Sequence, residues 1–571
     1  MKNTILSISI FFLLISCSKK DNNLAFDKYK NKFIENLWEK NPDWASSQGY
    51  HKYDSVLFPA DDKLRQSHLN FVNANIDSLK NYPIESLNDN NKTDFYMIKN
   101  QLESTAFNIN EFKSYQWNPL EYNVCGSFAE ILNGNYEPLE NRLRNFGLKM
   151  KNIPSFYAAA KANLKNPTFE HTKLACDQNL GGLSIFKTDL VAALSKSKLS
   201  ETEKTTIIAD SKIAVQSITN FVEYLNKIET RKEGDFRIGK DLFAKKFNFD
   251  IQSSYTSDQM LEKAIAHKKD LHNKMFELSE KLWSKYLANT QKPSDKLAQI
   301  KQVIDKISEQ HTSPEKFQSE IDKQIPELTA FVKAKNLLFI DPTKPLVVRK
   351  EPDYMAGVAG ASISSPGPYD KNANTYYNVG SMSGWDKEKS ESYLREYNDY
   401  ILQILNIHEA IPGHYTQLVY SNQSPSIIKS IFGNGAMIEG WAVYTEKMML
   451  ESGYKNSDEM WLMYYKWNLR STCNTILDIS VHTKAMSKEK ALDLLINQAF
   501  QQQAEADGKW KRASVSQVQL CSYFTGYTEI YDFREALKKE DKNFDLKKFH
   551  EKFLSYGSAP VKYIKELYLK K

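Results

Sequence analysis

Cysteine is scarce: 571 residues carry five, and no two form a C-x-x-C pair. The four beyond the leader, Cys125, Cys176, Cys473 and Cys521, are far apart. They read as buried small apolar residues, not as metal ligands; a disulfide outside the cytoplasm stays open, and sequence cannot assign one. Long runs of Lys and Arg are also missing. Basic and acidic side chains number 76 and 70, a net charge of +6, which gives no support to nucleic-acid binding. The scattered lysines mark solvated helix faces. No period of fixed length repeats, which excludes solenoids and propellers. With 41% hydrophobic and 26% charged residues, what remains is a globular protein of roughly two to four domains or one large helical body.

The N-terminus is more specific. Lys2 opens a short positive region, Ile5 to Ile15 is apolar, and Leu14-Ile15-Ser16-Cys17 closes it. This run is too short to cross a bilayer and reads as a signal peptide over residues 1–16. The small residue before Cys17 resembles the lipobox of bacterial lipoproteins. That resemblance implies cleavage before Cys17 and lipidation of its thiol, with residues 17–25 as a polar tether. Acyl chains would then hold the protein at the cell-envelope membrane, facing the periplasm or the outer surface. An uncleaved anchor or an ordinary signal peptide are the alternatives.

Residues 26–336 read as mostly helix. Leu64 to Leu79, Ile185 to Leu194, Ser200 to Lys227 and Ser257 to Leu287 carry apolar residues at three- and four-residue steps. Asp258 and Ser294 are candidate N-caps, and Pro326 a break or a helix start. His267 and His272 lie five apart, so they do not face one ligand, and they read as surface histidines. From residue 337 the texture changes. Leu337 to Ile340 and Leu346 to Val348 look like strands, Gly357 to Gly367 like a loop, and Tyr376 to Gly380 like another strand. An edge strand there, with Tyr377 and Asn378, would hold a substrate backbone by β-addition, or else form a plain hairpin. Helices resume at Lys387, with Glu391 to Asn406, Met437 to Leu450, Asp458 to Val481, Met486 to Ala506 and Val515 to Glu540. The fold class is therefore mostly α with a small β region near 337–380, and residues 337–571 carry the candidate site, continuous with the preceding body.

That site is His408-Glu409-Ala410-Ile411-Pro412-Gly413-His414, followed by Glu439-Gly440-Trp441-Ala442-Val443-Tyr444-Thr445-Glu446. A catalytic zinc takes three protein ligands and keeps one open position. A carboxylate outside that set then handles the proton of the water. In H-E-x-x-H helices the histidines sit one turn apart. Here the fifth position is Pro412, and the next histidine is six residues on. An unbroken helix would place His414 roughly 240° around the axis from His408. But Pro412 removes a helical N–H and clashes with the preceding turn, and Gly413 tolerates unusual dihedrals. A break after Glu409 that absorbs two residues would return His414 to the face of His408. Glu439 and Glu446 are seven apart and share a face of an otherwise apolar helix. Glu439 is the expected third ligand, and Glu446 the group that orients a ligating histidine. His482 and Tyr523 are candidate hydrogen-bond donors to a tetrahedral intermediate; from spacing alone each is equally a helix-end histidine or a buried aromatic.

With Gln417, these two motifs resemble the bacterial domain-of-unknown-function-885 family, grouped with H-E-x-x-H-type metallopeptidases. The resemblance spans most of the mature chain. It implies a helical fold similar to oligopeptidases and carboxypeptidase Taq, one Zn2+ held by His408, His414 and Glu439, and Glu409 as general base. Asp478 and His482 resemble the family's Asp-x-x-x-His element, and Gln519-x-x-Ser522-Tyr523-x-x-Gly526 its Gln-x-x-Ser-Tyr element, which favours Tyr523 as oxyanion stabiliser. The chain departs from the pattern at Tyr415, usually histidine, at Gln517-Val518, usually Pro-Gly, and at Asn474, often arginine. The function expected is zinc-dependent hydrolysis of short peptides. The alternatives are a non-catalytic surface lipoprotein binding peptide or glycan, and a metal-dependent hydrolase of other amides or esters. Peptide preference and oligomeric state are not encoded legibly.

Overall fold

A computed structural model describes residues 21–351, 361–370 and 374–570. The leader and Cys17 lie outside the described residues. α1 (Asn22–Lys40) starts inside the stretch expected to be tether, residues 17–25; the Asp21 side chain accepts from the N–H groups of Asn23 and Leu24.

The protein is mostly α-helical. In the N-terminal half, α2 (Asp62–Leu79), α3 (Asp89–Phe107), α4 (Glu201–Leu225), α5 (Ser257–Tyr286) and α6 (Phe317–Ala334) follow the apolar periodicity. Ser200 and Glu203 close a capping box on α4. On α5 the cap is Thr256, paired with Gln259, not Asp258; only a residue just outside the first turn can reach the third helical N–H. For the same reason Asp295, not Ser294, caps the helix Lys296–Ile307. Pro326 sits inside α6 without ending it.

Two large apolar cores form, with a small third cluster of Phe107, Phe112 and Trp117. The larger joins residues of α1 to α3 with those from Phe236 to Ile564, so the expected boundary at 336/337 does not divide it. The smaller is built from Leu57 and from residues between Tyr122 and Leu225. All four described cysteines are buried and free. Among the described residues no helix is long and apolar enough to cross a membrane.

A three-stranded sheet lies between the helical halves. β1 (Leu346–Lys350) pairs parallel with β3 (Thr375–Val379), and β2 (Ala361–Ser364) pairs antiparallel with it, in the order β1-β3-β2. Three expectations fail here. Leu337 to Ile340 is not a strand, although Leu337 and Leu338 are buried. Part of the Gly357–Gly367 loop is β2, a strand fixed by its pairing and not by its small polar residues. β3 is central, so both its edges are already paired and it cannot accept a substrate strand.

Beyond the sheet run α7 (Lys387–Glu396), α8 (Asp399–Glu409), α9 (His414–Asn422), α10 (Gly435–Glu451), α11 (Asp458–Thr483), α12 (Gln503–Val515), α13 (Ser522–Glu540) and α14 (Leu546–Ser555). The expected helix from Glu391 breaks at Asn398, whose side chain caps α8. The one expected from Met486 to Ala506 breaks into a short helix, a wide turn and α12. His267 and His272 face inward: Nε2 of His267 contacts Asn468 Oδ1 at 2.8 Å, and Nε2 of His272 donates to the Gln498 carbonyl at 2.7 Å.

Candidate metal centre

The six-residue step between the histidines is a full break. α8 stops at Glu409 and α9 starts at His414. Ala410 leaves helical geometry at φ −112°, ψ −85°, and the Ile411–Pro412 peptide is cis. The chain then doubles back onto the end of α8. Both Ala410 and Ile411 N–H donate to the Asn406 carbonyl, at 3.0 and 3.1 Å, and Gly413 N–H donates to Ile407 at 3.0 Å. A Cβ on Gly413 would sit 1.9 Å from the His408 carbonyl oxygen, so no other residue fits this turn. The two imidazole rings end up 4.7 Å apart, centre to centre, with planes at 89°.

The acidic helix locks onto this break. Trp441 Nε1 donates to the Pro412 carbonyl at 2.9 Å. Glu439 Oε2 lies 3.2 Å from His414 Nε2 and 3.7 Å from His408 Nε2. It is buried and accepts no hydrogen bond from either. These atoms converge on shared space instead of pointing at one another. A tetrahedral zinc with bonds of about 2.0–2.1 Å needs ligand-to-ligand edges of about 3.3 Å, so the donor set fits that ion. Glu446 is fully buried and its Oε1 accepts from His408 Nδ1 at 2.7 Å and from Trp467 Nε1 at 3.0 Å. With Nδ1 committed to Glu446, His408 presents Nε2 to the shared space.

Charge follows the geometry. Burial pushes the His408 imidazole down, but Glu439 and Glu446 outweigh it and hold it up at about 10. Burial raises the Glu439 carboxyl, and the two histidines more than reverse this, leaving it well below the usual carboxylate range. A field that favours a proton on His408 this strongly also favours a divalent cation in its place. Glu409 differs: burial raises its carboxyl, and the histidines offset only part. One donor atom each from His408, Glu409 and His414 lies within 4.8 Å of the others, so Glu409 borders the same space.

α13 closes the site by crossing α10 glycine on glycine. A Cβ on Gly526 would lie 1.7 Å from the Ala436 carbonyl oxygen, and one on Gly440 would lie 2.3 Å from the Gly526 carbonyl carbon. This contact brings Tyr523, one turn before Gly526, toward Glu439. Burial and the Glu439 charge push the Tyr523 phenol up to about 12. Its oxygen accepts from Arg512 Nη2 at 3.2 Å, which leaves its own proton free to donate.

His482 is placed elsewhere. Its Nε2 lies 3.0 Å from the Ala513 carbonyl and 3.1 Å from that of Ser516, and its ring packs on Phe236 and Phe243. No contact joins it to the cluster among the described residues. Asp478 accepts from the N–H groups of Val518 and Leu520, at 3.3 and 3.1 Å. The two residues thus clamp the turn that leads from α12 to Tyr523, His482 by its carbonyls and Asp478 by its amides. Within that turn Val518 has φ +72°, a left-handed backbone that a β-branched residue rarely adopts. That explains the glycine expected there from the family pattern.

His171, from the helix Phe169–Gly181, reaches the same turn and bonds the Val515 carbonyl at 3.1 Å. Burial lowers His171, His482 and His550 alike, each to about 4. The unfolded chain, with histidines near 6.5, therefore binds more protons than the folded one between these values. Stability from these groups is complete above pH 6.5 and is lost as pH falls toward 4. Each contributes on the order of 3 kcal/mol. Chemical denaturation at pH 7 and pH 4.5 should show the loss, and His482→Asn should lessen the pH difference.

Tyr377 and Asn378 do not face a substrate. Both are fully buried. The Tyr377 hydroxyl donates to Asn406 Oδ1 at 2.7 Å, and Asn378 Oδ1 accepts from Arg349 Nε at 2.7 Å. Their side chains hold β3 to α8 and β1 and are spent on that. Trp467, which steadies Glu446, was not singled out from sequence, because an aromatic in an apolar helical run carries no mark of its role.

Comparison with known proteins adds family and fold. Residues 42–567 match the model of the bacterial protein family of unknown function DUF885. A candidate lipoprotein of unknown function from Shewanella oneidensis is 53% identical, with a TM-score of 0.86 over 95% of this chain and 100% of that one. A candidate lipoprotein from Colwellia psychrerythraea shares the fold at 17% identity, with a TM-score of 0.77 over 95% of this chain and 98% of that one. No curated protein matches. Over more than nine-tenths of its length, the chain belongs to the DUF885 family.

Proposed function

We propose that the protein is a zinc-dependent peptidase, held at a bacterial envelope membrane by lipid on Cys17. The reading rests on one observation: three nitrogen and oxygen donors, His408 Nε2, His414 Nε2 and Glu439 Oε2, converge without hydrogen-bonding one another. The lipobox, and two solved relatives described as candidate lipoproteins, support the anchor.

When bound, zinc acidifies water and polarises a carbonyl. The remaining work falls to side chains. Glu409, half-buried and outside the ligand set, takes the proton of the attacking water and delivers it to the departing amine as the C–N bond breaks. Glu446 and Trp467 keep His408 in one tautomer and one orientation. Tyr523 donates its proton toward the carbonyl oxygen as charge develops there. The Glu439 side chain is 21% exposed although it lies deep in the fold. The site is therefore a cleft, and this favours short flexible peptides over folded proteins.

The test is elemental analysis of the purified protein, followed by digestion of a peptide library with and without chelator. One zinc per chain and chelator-sensitive cleavage are expected. Protein that takes up no zinc, or cleaves nothing when loaded, sinks the reading. In the same assay Tyr523→Phe should lower kcat about 100-fold, with KM close to wild type.

A further inference from the structure

One wall beside the cluster carries more positive charge than its neighbours neutralise. Arg470 on α11 and Lys509 and Arg512 on α12 meet a single acid, Glu505. Arg470 Nη2 lies 2.5 Å from Glu505 Oε1, and Lys509 Nζ stands off at 3.7 Å from the same oxygen. Arg512 has neutral partners, Gln519 Oε1 at 2.7 Å and the Tyr523 hydroxyl at 3.2 Å. The other nearby lysine, Lys466, is taken by Glu396 at 2.9 Å.

The cations are also short of hydrogen bonds. Lys509 is 5% exposed, yet its ammonium makes no hydrogen bond among the described residues. Arg470 Nη1 is buried and has no partner. Buried donors left open in this way are costly unless something else satisfies them.

Their position ties them to the site. The Arg470 guanidinium stacks on the Trp467 ring at 4.7 Å, and Trp467 shares Glu446 with His408. On the other side, Arg512 bonds Tyr523 directly. Burial, with Arg470 beside it, pulls the Lys509 amine down to about 7, against the opposing charges of Glu505 and Glu439; burial and Glu439 raise Tyr523. The cations thus continue from the site along α11 and α12.

We propose that Arg470, Lys509 and Arg512 form a subsite for a substrate carboxylate next to the scissile bond. This inference rests on the peptidase reading for the word substrate, but not for the binding of the anion. A carboxylate entering here would take charge-assisted hydrogen bonds from the planar Arg470 and from the Lys509 ammonium. Two sources carry that chemistry: the C-terminus of the peptide, or an Asp or Glu side chain beside the cut.

The experiment is calorimetric binding to the zinc-loaded Glu409→Gln protein, which separates binding from turnover. Three probes are used: tri-alanine with a free C-terminus, its C-terminal amide, and Ala-Ala-Asp amide. The free acid should bind about 10- to 100-fold more tightly than the amide. Recovery of that affinity by Ala-Ala-Asp amide assigns the side chain as an accepted source; failure to recover it assigns the terminus. In Lys509→Met and in Arg512→Gln the ratio of acid to amide affinity should fall toward one. Equal binding of all three probes by the unaltered wall overturns the subsite, and so does an undiminished ratio in both variants. Cleavage of tri-alanine, its amide and Ala-Ala-Asp amide at equal rates overturns the subsite and leaves the peptidase reading standing. Tight, carboxylate-dependent binding without any cleavage by the unsubstituted enzyme does the reverse.

Discussion

Glu409→Gln should lower turnover by about 10²–10⁴-fold while the protein keeps its zinc. The substitution preserves shape and removes only the ability to take a proton. Two geometric facts make the outcome informative. Glu409 follows His408 directly, so its backbone is fixed by α8. Its carboxylate also lies close enough to both histidines to compete with Glu439 as a third ligand. If Glu409 were that ligand, the amide would weaken metal binding as well as turnover. Elemental analysis and kinetics on the same sample therefore separate base from ligand. Retained zinc with full turnover would refute the role assigned to Glu409. The companion variant, Glu439→Gln, should lose the metal, because its Oε2 has no other partner to fall back on.

The largest structural effect is expected at a glycine far from the motif in sequence. Gly526→Ala puts a methyl where the Ala436 carbonyl oxygen stands, at 1.7 Å. Both partners are helix backbone, Ala436 in the first turn of α10 and Gly526 in the second of α13, so neither can swing aside. The helices must separate, at a cost of about 3 kcal/mol or more, the upper range for overpacking. Since Tyr523 stands one turn before Gly526, the same displacement should withdraw its hydroxyl from Glu439. A drop in the unfolding midpoint together with a loss of kcat is the expected pair. A variant of wild-type stability would show that the crossing is looser than described.

How much of this was legible in the sequence differs from feature to feature. The helices were, because a three-to-four-residue apolar step is a direct imprint of helix burial. The break at Pro412-Gly413 was also legible, since proline removes an N–H and glycine permits the turn. Glu446 beside His408 followed from a seven-residue spacing. The strands were not, because β2 is defined by β3 across a loop and not by its own composition. His482 was misread for a related reason. A histidine near a helix end looks the same whether it serves a reaction or a pair of carbonyls; only Ala513 and Ser516, distant in sequence, distinguish the two. Tyr377 and Asn378 were misassigned because alternation marks a strand without telling centre from edge. The cationic wall was invisible, since Arg470, Lys509 and Arg512 are ordinary helix-surface residues until α11 and α12 pack.

The separation of the two large cores carries a consequence for how the chain comes apart. The smaller one is built from buried residues between Leu57 and Leu225, and none of His408, His414 and Glu439 belongs to it. It is a separate apolar cluster inserted into the chain of another. Such a unit can melt and reform on its own free-energy scale while the larger core, with α8, α10 and α11, stays shut. Hydrogen exchange should then sort the amides into two families, those of α4 opening ahead of those of α10. His171 spans the two units through its bond to Val515, so each opening of the smaller unit would release one of the side chains that steady the turn before Tyr523.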